Sequence, residues 1–258
     1  MEPYAPPAPL APQAPDAPDA SQAGRLLVGC AGWTIPRAAA PVFPADGSHL
    51  SRYARVFDAV EINSSFYRPH RATTYARWAA SVPADFRFSV KLPRAITHEG
   101  GLRDSDAALD RFAAETGALG ARLGCVLVQL PPKADFEPAV AADFLTRLGM
   151  RFACTLALEA RHPSWFGQGA TELLRERGIT RVIADPPKGQ PGPHEPTTAT
   201  IYARLHGSPR IYYSSYAPAY LAQLRQDMHV HAQQGRTLWV MFDNTASGAA
   251  VPDALALR

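Results

Sequence analysis

The stretch CTLALEARHPSW, residues 154–165, decides how the rest of the chain is read. Neighbouring side chains along a strand point to opposite faces, so Leu156 and Leu158 share one face while Glu159 and Arg161 share the other. The apolar run then gives way to an acid, a guanidinium, an imidazole, a proline and an indole within seven residues. A strand suited to a protein interior that ends in so much chemistry points to a site at its C-terminal end. That is where barrel enzymes build theirs.

Seven more β-rich runs lie at 26–30, 59–62, 86–92, 125–130, 181–184, 201–206 and 238–242. Amphipathic helical patterns separate them at 50–57, 73–82, 106–119, 138–148, 170–177 and 218–233. Repeated β-α units imply a parallel sheet, and eight of them imply closure. The expected fold is therefore α/β, a single TIM-type (β/α)8-like barrel over residues 24–258. Proline and glycine in 186–200 leave the helix after the sixth strand short or missing, and the last helix must fit within 249–258.

Composition agrees with a well-filled core, since 47% of the 258 residues are hydrophobic and 19% charged. A formal net charge of +3 permits an anionic ligand without demanding nucleic acid. Cys30, Cys125 and Cys154 have no metal or redox spacing and sit in apolar runs, as small hydrophobes in a reducing cytoplasm would. Residues 1–23, rich in proline and alanine, have neither the basic start nor the apolar stretch of a secretory signal and are expected to form a disordered tail. No run is long and apolar enough to span a bilayer. The oligomeric state stays open.

Parallel strands that serve structure alone should be apolar on both faces. Here one face is polar. Arg87, Ser89 and Lys91 alternate with phenylalanine and valine; Glu61 lies between Val60 and Ile62; Tyr202, Arg204 and His206 oppose Ile201, Ala203 and Leu205. In order along the chain come VGCAGW (28–33), VEINSSFYR (60–68), FSVKLP with ITH (88–98), LVQLPP (127–132), EARHPSWF (159–166), RLHG (204–207) and FDNTASGAA (242–250). Together these resemble the YecE-like family, domain of unknown function number 72, across everything after residue 23. The resemblance implies a TIM-barrel-like fold and a pocket at the strand C-termini. It implies no particular reaction, substrate or cofactor.

The candidate catalytic acids are Glu61, Glu159, Asp185 and Asp243, each at a different strand end, suited to acid/base work or to a divalent metal. The metal is the less favoured reading, because no familiar ligand spacing is present. A structural alternative has Lys91, Arg161 and Arg204 neutralising buried carboxylates. His98, His162 and His206 lie in strand-end loops, and His206, on the face of Arg204, is the best proton shuttle. Trp33, Tyr67 and Trp165 offer stacking walls, and Asn63 and Gln129 offer amides. An anion is expected between Gly207 and Gly248, near Asp243 and Asn244, at the start of the last helix.

No nucleophile elbow, Walker loop or dinucleotide glycine fingerprint occurs, which argues against a serine hydrolase, a P-loop ATPase or a Rossmann dehydrogenase. The residues fit best an enzyme of hydrolase or isomerase type acting on a polar anionic molecule such as a phosphorylated metabolite, sugar or nucleic-acid fragment. The alternative is a non-catalytic protein that binds a phosphorylated ligand or nucleic acid. Deleting residues 1–23 is expected to leave the melting temperature nearly unchanged; a fall of several degrees on truncation would show that the segment docks on the fold.

Overall fold

A computed structural model describes residues 24–258, so the expected tail lies outside the described residues. Strand and helix alternate: β1 (Leu26–Cys30), α1 (His49–Tyr53), β2 (Ala59–Ile62), α2 (Ala72–Ala80), β3 (Arg87–Lys91), α3 (Asp106–Thr116), β4 (Leu123–Gln129) and α4 (Pro138–Arg151). The second half continues with β5 (Thr155–Glu159), α5 (Gln168–Glu176), β6 (Ile179–Arg181), β7 (Ile183–Asp185), β8 (Ile201–Leu205), α6 (Pro218–Gln233), β9 (Leu238–Phe242) and α7 (Ala250–Leu257). Local chemistry sets several helix starts. Pro138 and Pro218 open α4 and α6, where a missing N–H costs nothing, and the Ser48 hydroxyl caps α1. No helix intervenes between β7 and β8, as the proline-rich segment implied.

All strand pairs are parallel, in a five-stranded sheet ordered β2-β3-β4-β5-β6 and a four-stranded sheet ordered β1-β9-β8-β7. The expected single closed ring of eight strands is thus seen as nine strands in two parallel sheets, and both departures have a local cause. The sixth expected strand is divided at Val182. Its N–H still bonds the Leu158 carbonyl of β5, but from Ile183 onward the chain pairs with β8. Between β1 and β2, the Tyr53 hydroxyl takes the place of a direct ladder bond. It accepts from the Cys30 N–H at 2.8 Å and lies 3.2 Å from the Ala59 carbonyl, to which it donates. Past it the backbones meet in a single bridge, Ala31 to Glu61. Gly29 makes this approach feasible, since a Cβ there would lie 2.0 Å from the Ala59 oxygen.

The outer strand faces, with Val28, Val90 and Leu158, pack against the helices together with Phe57, Phe112 and Phe144. The inner faces of the two sheets share a smaller apolar core that includes Leu27, Cys125, Leu127, Tyr202, Trp239 and Met241. Tyr202 stacks on Trp239 with ring centroids 5.8 Å apart. Above this core, toward the strand C-termini, the inner faces turn polar. Among the described residues no helix is long and apolar enough to cross a membrane.

Tyr53→Phe keeps the ring but leaves a buried N–H and a buried carbonyl without their shared partner. It should lower unfolding free energy by about 1–3 kcal/mol, read in a urea titration. An unchanged midpoint would mean that the seam closes without the phenol.

Candidate functional site

Arg204, fully buried in β8, stands where the polar inner faces meet. Its Nε and Nη2 grip Glu61 of β2 as a fork, at 2.9 and 2.7 Å. Nη1 donates to Glu159 of β5, and Nη2 also reaches Asp243, just past β9, at 3.0 Å. One guanidinium therefore ties the four-stranded sheet to two strands of the five-stranded one. Tyr202, two residues earlier on the same face, adds a second tie. Its hydroxyl lies 3.0 Å from Glu61 and 2.7 Å from Ser89 of β3, an arrangement satisfied if it donates to the carboxylate and accepts from the serine.

The remaining members gather around the carboxylates. Arg161 donates to Glu159 Oε1 from Nε at 2.9 Å and from Nη2 at 2.8 Å. His206 places Nδ1 3.0 Å from Asp243 and Nε2 3.5 Å from Glu159. Burial opposes charge on both acids. Even so, Arg204 and His206 hold the Glu159 carboxyl well below the usual carboxylate range and lower that of Asp243 as well. Burial alone would depress the His206 imidazole, but its bonds to Asp243 and Glu159 raise it. Lys91 ends β3 on the same face. Burial, reinforced by Arg204, brings its ammonium down to about 8 against the pull of the three carboxylates.

These groups can hold a negatively charged ligand and move protons, with His206 between two acids as the natural donor. The Arg204 seen here differs from the expected ligand-holding cation: all its nitrogens are already committed to carboxylates. Glu61, Glu159 and Asp243 are likewise turned onto Arg204. Among the described residues no group of three or more His, Cys, Asp or Glu side chains is placed to hold a metal ion.

Other expected residues land elsewhere. Asp185 is buried at the end of β7, and its carbonyl accepts the His206 N–H. Gly207 gives its N–H to the Tyr216 hydroxyl, and Gly248 gives its own to the Thr245 carbonyl. A Cβ on Gly207 would lie 2.7 Å from the Ser214 oxygen, so at Gly207 the expected anion seat offers neither a free amide nor room. Asn244 pins Ser214 and Asp253. His162 accepts from the Ser164 N–H and starts the short helix Pro163–Phe166. Gln129 donates to the Leu130 carbonyl, and Trp33 packs edge-on against Trp78 of α2. Asn63 follows β2 with a buried Oδ1 that has no protein partner, and Tyr67 is 75% exposed.

Two openings flank the cluster. A water-sized space of about 10 Å³ lies among Glu159, Arg161, Lys188, His206 and Tyr212. A larger cavity of about 270 Å³ is walled by residues 97–103 and 131–141, with His98 and Trp165 in its lining. Burial, then Lys91 and Arg161, keep His98 neutral, with a pKa of about 4. Tyr212, whose ring stands edge-on to His206 at 5.8 Å and whose φ is +70°, gave no sequence signal. Tyr202 did give one, by sharing the strand face of Arg204.

The sequence model described as "Protein of unknown function DUF72" matches residues 27–258. The chain belongs to the DUF72 family. It is 35% identical over 144 residues to the UPF0759 protein YecE of Escherichia coli (strain K12). That match takes in 53% of this chain and 52% of YecE, so the chain spans about half the length of that relative. Similarity to the UPF0759 protein YunF of Bacillus subtilis (strain 168) is lower, 24% over 255 residues, but it covers 87% of this chain and 90% of YunF. A crystal structure of a DUF72 family protein from Thermotoga maritima superimposes with a TM-score of 0.75 at 26% identity, covering 90% of this chain and 97% of that one.

In this DUF72 protein, Arg204→Met should cost about 3–5 kcal/mol at neutral pH, because it strands buried carboxylates. The pH response should shift as well. With Arg204 present, the depressed acids matter only as pH falls into the carboxylate range and below, so between pH 7 and 5 the histidines set the response. His98, held at about 4, loses stability because the unfolded chain takes up its proton first, and the raised His206 partly offsets that loss. Without Arg204, mutually repelling carboxylates have raised pKa values, so the variant gains stability relative to the parent as pH falls from 7 to 5. Urea unfolding of both proteins at the two pH values reads the difference.

Proposed function

We propose that the two sheets wrap into a TIM-type barrel whose charged mouth is the active site of a cytoplasmic enzyme. It is of hydrolase or isomerase type and acts on a polar, anionic small molecule. The observation that carries this reading is His206 held between Glu159 and Asp243 at the strand C-termini, with Arg161 beside it. An imidazole braced by one carboxylate and facing another is poised to deliver a proton and take it back. Glu61 and Arg204 act as the brace that sets Glu159 in place. Arg161 and Lys91 draw in the anion, since four basic groups face three carboxylates. The free thiols Cys30, Cys125 and Cys154 suit a reducing compartment.

A binding protein for nucleic acid is the second reading, favoured by one feature. Tyr213 is 44% exposed, with the Arg210 guanidinium 4.0 Å from its ring centroid, a pairing on which a base can stack.

The two readings separate by mutation. Titrating ribose 5-phosphate by calorimetry, Arg161→Ala should weaken binding about tenfold, the order expected when a charge-assisted bond is lost. Glu159→Gln should alter that binding while unfolding stays cooperative. If Arg161→Ala leaves ribose 5-phosphate binding unchanged, while Tyr213→Ala abolishes salt-sensitive binding of a single-stranded oligonucleotide, the enzyme reading is lost to its rival.

A further inference from the structure

The sequence holds 23 arginines and only three lysines, Lys91, Lys133 and Lys188. Where this chain needs a positive charge it overwhelmingly uses a guanidinium. All three exceptions follow or end strands at their C-terminal side: Lys91 closes β3, Lys133 lines the larger cavity after β4, and Lys188 borders the small space after β7. A guanidinium holds an anion better than an ammonium does and stays charged at any physiological pH. What only lysine supplies is an amine that can lose its proton.

Lys91 is the one of the three placed to do so. It is 7% exposed, and among the described residues no carboxylate lies within ion-pair distance of its nitrogen. The carboxylates nearby are turned onto Arg204, which leaves Lys91 beside a competing cation. Its Nζ rests 4.1 Å from the centre of the Phe66 ring. Phe66 in turn meets the His98 ring edge-on at 4.9 Å, and His98 lines the larger cavity, so these two rings stand between the amine and that opening. An amine largely shielded from water, next to a guanidinium and without a directly ion-paired carboxylate, is the arrangement that activates lysine as a nucleophile.

We infer that Lys91 is a nucleophilic amine that forms an imine with an aldehyde or ketone substrate. The inference rests on the proposal that the charged mouth is an active site, and it names the substrate class as a carbonyl compound. The nitrogen lone pair attacks the carbonyl carbon, the C=O π pair moves to oxygen, and one of the two nitrogen protons passes to that oxygen to give a neutral carbinolamine. A general acid such as His206 then protonates the hydroxyl, which leaves as water while the nitrogen lone pair forms the C=N bond, and the remaining nitrogen proton returns to the acid's conjugate base. A C=N bond replaces C=O, with no oxidant or reductant required. The lowered pKa of about 8 supplies the free amine, roughly three hundredfold more of it at neutral pH than an ordinary lysine has.

The full chain is treated at pH 7 with pyridoxal 5′-phosphate, and separately with glyceraldehyde as a small uncharged aldehyde. Each adduct is fixed with borohydride, which delivers hydride to the imine carbon, and located by peptide mass spectrometry. Lys91 should be labelled by at least one probe at least tenfold faster than Lys133 or Lys188. The rate should rise with pH and level off above about 8. That titration is set by Glu61, Glu159, Arg204, Asp243 and His98, which face Lys91 from β2, β5, β8, the end of β9 and the 95–99 turn. Lys91→Arg should melt near the wild-type temperature and yield no adduct at that position. Labelling of Lys91 no faster than Lys133 or Lys188 with both aldehydes would overturn the inference. If ribose 5-phosphate binding still depends on Arg161 in that event, the broader active-site reading stands without it. A fast Lys91 adduct with binding indifferent to Arg161 would instead keep the amine and remove the anion seat.

Discussion

One guanidinium sets the terms for the rest of this molecule. Two sheets face each other with carboxylates at their polar ends, and burying those charges without compensation would cost more than a domain's whole stability margin. Arg204 compensates three acids at once from a single strand. The geometry this needs is strict. Glu61, Glu159 and Asp243 must arrive from β2, β5 and the end of β9 at matching heights, so the strand registers and the charge constellation specify each other. Tyr202 and Ser89 extend the same logic one layer toward the apolar floor, where Trp239 and Met241 complete the seal.

That arrangement separates positioning from reacting. Arg204 and Glu61 are spent on one another and hold Glu159 still. His206, Arg161 and Lys91 lie at the margin of the network, each with bonding capacity or charge not fully consumed by it. His206 shows the point: Nδ1 is fixed by Asp243, while Nε2 reaches Glu159 only at 3.5 Å and has no closer protein partner. Groups of that kind, oriented on one side and open on the other, are the ones that act on a ligand.

Alternation in short strands made much of this readable from residues alone. It placed Glu61, Lys91, Glu159, Arg204 and His206 on one inner surface, and the structure brings them together there. It could not say that Arg204 would be saturated, because saturation depends on three partners between 39 and 143 residues distant. Nor could it say that Gly207 would lie against Ser214, since loop paths follow from packing rather than periodicity. The eight expected strands became nine for a related reason. A phenol from α1 and a change of partner at Val182 are tertiary events that leave no pattern in the strands themselves. His162 and Gln129 carry suggestive chemistry in sequence but serve the backbone next to them, as polar residues at strand ends commonly do.

The charge constellation is borne mostly by strands, whereas the walls of the openings beside it, among residues 97–103, 131–141, 186–188 and 211–212, are loops and helix ends. The two therefore answer to different constraints. Exchanging a strand residue disturbs a balance shared by both sheets, but exchanging a loop residue alters only what the opening admits. A change at the electrostatic centre thus costs the whole fold, whereas a change in the rim retunes what enters and leaves the scaffold standing.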